Sequence, residues 1–135
     1  NSFNQPNSLA AGFQVEDNLI LVSSLTTIPK LHCVSLVGEK RVELASYRRT
    51  DRIVSGIVGE VLTPGEKGVM LTKGVIHDPN WNFPASHINK YLFCGLNGEV
   101  SLTPPPSGMS QIIGVLIDSD TVFFNPQPPI RLYDN

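Results

Sequence analysis

Glycine and proline interrupt this chain so often that only short apolar segments remain between them. The 135 residues include 11 glycines and 11 prolines. These residues cut the apolar segments at intervals of about 8–12 residues, which is typical of β-sandwiches and barrels. Glycine inside a helix costs about 1 kcal/mol relative to alanine, and proline lacks the backbone donor that a helix needs. The apolar pieces are rich in valine and isoleucine, which favour strands. We therefore predict an all-β, single-domain antiparallel β-sandwich or barrel with extended N- and C-terminal arms.

The composition argues against two classes of partner. The formal net charge is −2, and the densest basic cluster, residues 48–52, is short, whereas a nucleic-acid-binding surface is normally more basic. No apolar run approaches the length of a membrane span, and the N-terminus is polar, unlike a signal peptide. We expect no nucleic acid and no membrane among the partners of this protein.

The chain divides into three parts. Residues 1–8 are polar and form an N-terminal arm, residues 9–125 form the β domain, and residues 126–135 form a proline-rich C-terminal tail. A chain of this length can bury a core of its own. Polar termini become ordered when something holds them, so the two ends predict contacts with neighbouring molecules.

Residues 90–130 show the clearest strand pattern. We predict strands over residues 91–93, 99–103, 111–117 and 121–124. Asn97 and Gly98 predict a turn, because both tolerate positive φ. Three consecutive prolines at 104–106 remove three backbone donors, so regular pairing should stop there. The following residues of the last two strands are expected to be buried, with alternation exposing one or two of them: Val115, Ile117, Val122 and Phe124.

These strands and turns resemble a small β domain of tailed-bacteriophage virion proteins, found in head fibres, capsid decoration proteins and tail fibres. The family order is an aromatic-leucine strand, a glycine turn, a threonine-proline-proline break, an apolar strand with a polar turn, and a last apolar strand. The matching segments are Tyr91-Leu92, Asn97-Gly98, Thr103-Pro104-Pro105, residues 111–115 and residues 121–126. The match covers the last third of the chain well and residues 53–73 loosely.

The resemblance implies a structural role in the virion, on the capsid surface or the tail. The chain is then a capsid decoration or head-fibre component that binds itself, as a homotrimer, and other virion proteins such as the major capsid protein or a fibre. It implies no catalytic residues, no cofactor and no metal site, so we do not expect an enzyme.

The C-terminal tail is the expected contact with other subunits. Its prolines pre-set an extended chain, which lowers the entropy lost on docking. In an extended chain Ile130 and Leu132 share one face, and Tyr133 lies on the other. We predict that Ile130, Leu132 and Tyr133 contact another subunit or the capsid.

An alternative is a tail-fibre or receptor-binding module that recognises a host surface glycan. Trp81, Phe83 and Tyr91 would then form a platform for sugar rings, since aromatic side chains often anchor interfaces. The competing interpretation is that these rings close one end of the β core or pack on a neighbouring subunit.

A second alternative is an enzyme similar to the trimeric dUTP pyrophosphatases. Residues 114–120 superficially resemble the substrate-binding segment of that family. In that family a tyrosine follows the aspartate and stacks on the base, whereas Thr121 follows here, and the glycine-rich C-terminal motif is not found. An acidic turn between strands accounts for Asp118 and Asp120 without catalysis. The histidines match no zinc motif, and no serine lies in a nucleophile elbow.

Cys33 and Cys94 each lie in an apolar segment. A free cysteine in such a segment behaves as a small buried hydrophobe. We expect free thiols here, because a virion protein is made in a reducing cytoplasm.

Overall fold

The computed structural model describes residues 18–132, and nearly all of its regular structure is strand. The strands in chain order are β1 (Leu19–Ser24), β2 (Cys33–Gly38), β3 (Arg41–Leu44), β4 (Gly56–Val58), β5 (Lys67–Leu71), β6 (Gly74–His77), β7 (Tyr91–Cys94), β8 (Val100–Ser101), β9 (Met109–Ser110), β10 (Ile112–Asp118), β11 (Thr121–Phe124) and β12 (Ile130–Arg131). A 3-10 turn, Ala85–His87, lies between β6 and β7. The prediction of an all-β domain is confirmed.

The first five strands close into a barrel in the order β1-β3-β2-β4-β5. β5 returns antiparallel to β1, from Leu19 opposite Leu71 to Ser23 opposite Lys67. The pair of β1 with β3 is parallel, although the sequence predicted antiparallel pairing only. Closure pairs the outer strands with each other, so the barrel leaves no long open edge.

A five-stranded antiparallel sheet packs against the barrel, in the order β6-β11-β10-β7-β8. Four of its strands are those predicted over residues 90–130, so the segment with the clearest strand pattern forms most of one sheet. The turn before β8 needs its glycine, because Gly98 has φ of 78°. A Cβ there would also lie 2.7 Å from the carbonyl oxygen of Cys33. The proline run lies in irregular chain between β8 and β9, as predicted.

Two apolar clusters hold the layers together. The barrel core fills the inside of the barrel, and the interface core lies between barrel and sheet. The barrel core contains Val22, Ile28, Val34, Val42, Val58, Leu62 and Met70. The interface core contains Leu31, Cys33, Ala45, Val54, Ile57, Leu71, Ile76, Leu92, Cys94, Ile113, Leu116, Val122 and Phe124.

The burial predicted for β10 and β11 is confirmed only for the residues on the face that packs against the barrel. Val122 and Phe124 are fully buried, whereas Ile117 is 46% exposed. Val115 is half-buried on the opposite face of the sheet, level with Phe123. Leu116 lies in the core opposite Val122, and the next residue, Ile117, points to the other face.

The C-terminal tail is held by its own chain as far as residue 132. β12 pairs with β9, with Ile130 opposite Ser110 and Arg131 opposite Met109. Leu132 then donates its backbone N–H to the carbonyl of Gly108 at 2.8 Å. These residues are therefore held by contacts within their own chain, and their contact with another subunit stays a prediction. The predicted arm, residues 1–8, and Tyr133 lie outside the described residues.

Within residues 18–132, no helix has the length and apolarity needed to cross a bilayer.

Candidate binding groove and contact surfaces

The loop between β6 and β7 places two of the predicted aromatic residues side by side. Trp81 donates its backbone N–H to the carbonyl of Asp78 at 3.0 Å, and Phe83 donates to that of Ser119 at 2.8 Å. The two ring centroids are 5.5 Å apart, with the planes tilted by 43°. Both rings are half-buried and pack on the interface core. The loop therefore covers one end of the core and leaves part of each ring exposed.

A groove of about 360 Å³ runs beside these rings. It is lined by Lys30, Leu31, His32, Asp78, Asn80, Trp81, Phe83, Glu99 and Val100. The lining therefore combines two acidic residues, a lysine, a histidine and an asparagine with two aromatic residues. Such a combination can bind a ligand that has both apolar faces and hydroxyl groups.

The charged pair in this groove is held in a defined position. Asp78 is only 2% exposed, and its Oδ2 lies 3.1 Å from Nζ of Lys30. Its Oδ1 accepts the backbone N–H of Asn80 at 2.8 Å. Because a buried carboxylate is costly unless it is paired, these contacts determine where the Asp78 side chain lies. This pair was not predicted from the sequence, although the only tryptophan of the chain follows Asp78 by three residues.

Tyr91 does not join the other two aromatic residues. It is 58% exposed and lines a separate groove together with Val115 and Phe123. Successive residues of a strand point to opposite faces, and its neighbour Leu92 lies in the interface core. Trp81 and Phe83 contact that core, so Tyr91 lies on the other face of the sheet. The three-residue platform predicted from sequence is thus divided between two surfaces.

The acidic turn between β10 and β11 is stabilised by local bonds. Oδ1 of Asp118 accepts the backbone N–H of Ser119 at 2.8 Å. The hydroxyl of Thr121 donates to Asp120 at 2.9 Å, and Nε2 of His77 lies 3.1 Å from the same carboxylate. The Thr121 hydrogen bond, and then the His77 contact, lower the pKa of Asp120. In the part of the chain that the structure describes, no three His, Cys, Asp or Glu side chains are grouped to bind a metal.

The two described residues of the predicted tail contact differ in exposure. Ile130 is 65% exposed, whereas Leu132 is half-buried. Within the described residues β12 pairs with β9 alone, so its second edge has no strand partner.

A row of apolar side chains that was not predicted from the sequence crosses four strands of the sheet. Val75, Phe123, Val115 and Tyr91 are cross-strand neighbours in register. The signal was present as apolar residues at successive positions of β10 and β11, a pattern typical of strands covered on both faces.

Comparisons with protein-family models, with curated proteins and with solved structures found no match to this chain.

Proposed function

We propose that this chain is a structural component of a tailed-bacteriophage virion, a capsid decoration or head-fibre subunit that docks on other virion proteins. The observation that carries the proposal is the C-terminal strand β12. It presents Ile130 with 65% of its surface exposed, on a strand whose second edge is free of strand partners among the described residues. The proposal includes no catalytic activity and no cofactor.

The geometry of the tail suits docking on another protein. An unpaired strand edge offers backbone donors and acceptors to a partner strand, and an exposed apolar side chain adds specificity. Burial of the exposed part of Ile130 would contribute about 1–2 kcal/mol at each contact. Pro128 and Pro129 precede the strand and restrict the chain before docking, so less entropy is lost.

The resemblance to phage virion proteins supports the same proposal. The segments that carry it form β7, the Gly98 turn, the proline break, β10 and β11. They are therefore parts of one structural unit rather than scattered similarities. In this proposal the chain assembles as a homotrimer and contacts the major capsid protein or a fibre.

The test compares purified phage particles that carry the wild-type chain with particles that carry Ile130→Glu. We expect the wild-type chain to co-purify with particles in a fixed number of copies, and Ile130→Glu to reduce that number at least tenfold. Leu25→Glu is the matched control, since Leu25 is 73% exposed and lies in the barrel half of the chain. Absence of the wild-type chain from particles would refute the proposal.

The assembly can be tested separately by sedimentation of the purified chain. We expect a trimer for the wild type and for Leu25→Glu, and dissociation for Ile130→Glu. A point variant is preferable to a truncation at residue 125, because Gln111 donates to the carbonyl of Gln127 at 2.9 Å inside the domain. A wild-type monomer at all concentrations would contradict self-assembly.

The second candidate function is recognition of a host surface glycan in the groove beside Trp81 and Phe83. The observation that favours it is the tilted aromatic pair next to the fixed Lys30–Asp78 ion pair. Sugar rings present C–H faces to aromatic rings and hydroxyl groups to charged side chains. Binding of host-derived oligosaccharides, followed by saturation-transfer NMR, should be lost in Trp81→Ala and retained in Tyr91→Ala.

The enzyme alternative has its own test. The proposal assigns Asp118 and Asp120 to a turn, so purified protein should not hydrolyse dUTP in the presence of magnesium. Turnover that disappears in Asp120→Ala would show instead that the turn is catalytic.

A further inference from the structure

Most of one face of the five-stranded sheet is apolar although it faces away from the barrel, with polar residues only towards its ends and edge at His77, Thr121 and Ser101. We call it the outer face, and none of its apolar residues belongs to either core. It consists of Val75, Tyr91, Phe93, Ile112, Val115, Ile117 and Phe123. Antiparallel sheets with one solvated face normally alternate apolar and polar residues. An apolar patch of several strands indicates that another segment or molecule covers it.

The outer face also has a groove, of about 360 Å³, along its middle. Gly114, which has no side chain, is one of the residues that line it. Tyr91, Val115, Phe123 and the polar Asn125 and Gln127 also line it. A groove in an apolar face can accept side chains of an extended peptide segment.

A segment of the same chain has the matching pattern. Leu9, Ala11, Phe13 and Val15 alternate with Ala10, Gly12, Gln14 and Glu16. In an extended chain the first set shares one side and the second set shares the other. Residues 9–15 would therefore present one continuous apolar side to a surface.

The point of attachment brings this segment to the correct edge of the sheet. The carbonyl of Asn18 accepts hydrogen bonds from the backbone N–H of Thr72 at 2.8 Å and from its hydroxyl at 3.1 Å. Thr72 lies two residues before β6, which is an edge strand of the sheet. The chain before Asn18 therefore starts beside β6, where a short link can pass around the edge to the outer face.

The lengths agree. Residues 9–15 in an extended conformation span about 20 Å, and the four strands from β6 to β7 span about 14 Å. Residues 16–18 add about 10 Å, the thickness of one layer of packed sheets. The segment can reach from Val75 to Tyr91 without strain.

The size of the outer face favours coverage by residues 9–15 over coverage by a second copy of the protein. The face measures roughly 20 Å in each direction, or about 400 Å². A standard interface needs about 800 Å² on each partner. A single extended segment covers the smaller area.

We propose that residues 9–15 cover the outer face of their own chain, with Phe13 and Val15 on Val75 and Phe123 and with Leu9 near Tyr91. This inference is independent of the proposed virion role, because it concerns one chain only.

The test is photo-crosslinking of the full-length chain with benzoylphenylalanine in place of Phe13. We expect crosslinks to peptides of β6, β10 or β11. The same group in place of Gln14, on the opposite side of the segment, is the matched control and should give at least fivefold less product with these peptides. Equal yields from the two positions, or crosslinks to other parts of the fold, would overturn the proposal.

An equal mixture of nitrogen-14 and nitrogen-15 protein distinguishes one chain from two. Crosslinks within a chain give only unmixed isotope pairs, which the proposal requires. Mixed pairs would show that the segment covers a second copy and would overturn the proposal.

A binding measurement provides a second readout. Phe13→Ser should raise the fluorescence of a hydrophobic dye severalfold by uncovering the outer face, while Gln14→Ser should leave it unchanged. Circular dichroism should show the same strand content in both variants. An unchanged dye signal in Phe13→Ser would contradict the proposal.

Discussion

The side chain of Gln111 binds the backbone of Val54 in the way that a neighbouring strand would. Its Oε1 accepts the backbone N–H of Val54 at 2.8 Å, and its Nε2 donates to the carbonyl of Val54 at 3.4 Å. The same Nε2 donates to the carbonyl of Gln127 at 2.9 Å. Gln111 is 3% exposed, so one buried amide links the barrel, the sheet and the start of the tail.

The first prediction concerns this amide. Gln111→Leu should lower the free energy of unfolding by about 3 kcal/mol, because each buried polar group left without a partner costs about 1–3 kcal/mol. Urea unfolding followed by fluorescence measures the change. The control is Gln127→Ala, which keeps the backbone carbonyl that Gln111 binds and should change stability by less than about 0.5 kcal/mol. Equal effects of the two substitutions would show that the amide contributes little.

The second prediction concerns Phe124, which is fully buried in the interface core. Phe124→Ala should cost about 3–5 kcal/mol, because it removes a buried ring and leaves a cavity between barrel and sheet. Thermal unfolding measures it, with Leu25→Ala as a control at an exposed apolar position. A melting temperature that does not change in Phe124→Ala would place the ring outside the core.

The third prediction follows from the two buried thiols. The hydrogen bond with Cys94, and then burial, raise the pKa of the Cys33 thiol well above its ordinary value. The folded chain therefore keeps this proton above about pH 8.5, where the unfolded chain loses it. Stability is full below that pH and should fall above it, by up to about 1.4 kcal/mol per pH unit for one group.

Urea unfolding at pH 7.5 and pH 9.5 tests this effect, and Cys33→Ala should reduce the loss between the two. Iodoacetamide should modify Cys33 rapidly only after unfolding, because the thiolate is the reactive form. Rapid modification of Cys33 in the folded protein at pH 8 would contradict the raised pKa.

The fourth prediction concerns Asp120, whose pKa is lowered by the Thr121 hydroxyl first and by His77 second. A lowered pKa means that this carboxylate stabilises the fold above its unfolded pKa of about 3.9. The contribution is lost as the pH falls through the lower, folded value. Carbon-detected NMR titration should show a larger upward shift of the pKa in Thr121→Val than in His77→Ala. No shift in Thr121→Val would refute the assigned cause.

Local patterns were sufficient to predict four strands of residues 90–130, β7, β8, β10 and β11, but not the two-residue strands β9 and β12. Short apolar runs rich in β-branched residues define β10 and β11, and Gly98 marks a turn that only glycine fits well. Local patterns predicted the grouping of the aromatic residues in the candidate site only in part. Trp81 and Phe83 were correctly grouped because they are two residues apart in one loop. Tyr91 was grouped with them wrongly, because its face depends on which side of the sheet packs on the barrel.

The sequence by itself determined that this protein is built of short strands, and approximately where β7, β8, β10 and β11 lie. It did not determine which of Val115, Ile117, Val122 and Phe124 are buried. Only the tertiary structure decided how those strands are arranged: the parallel pairing of β1 with β3, the closure of the barrel, and the return of β12 to β9. It also decided that Gln111 binds Val54, 57 positions earlier in the chain. Strand propensity and turns depend on neighbouring residues, which can be read along the chain. Pairing depends on the burial of apolar faces and polar groups by residues distant in sequence, and that free energy exists only once the layers have packed together.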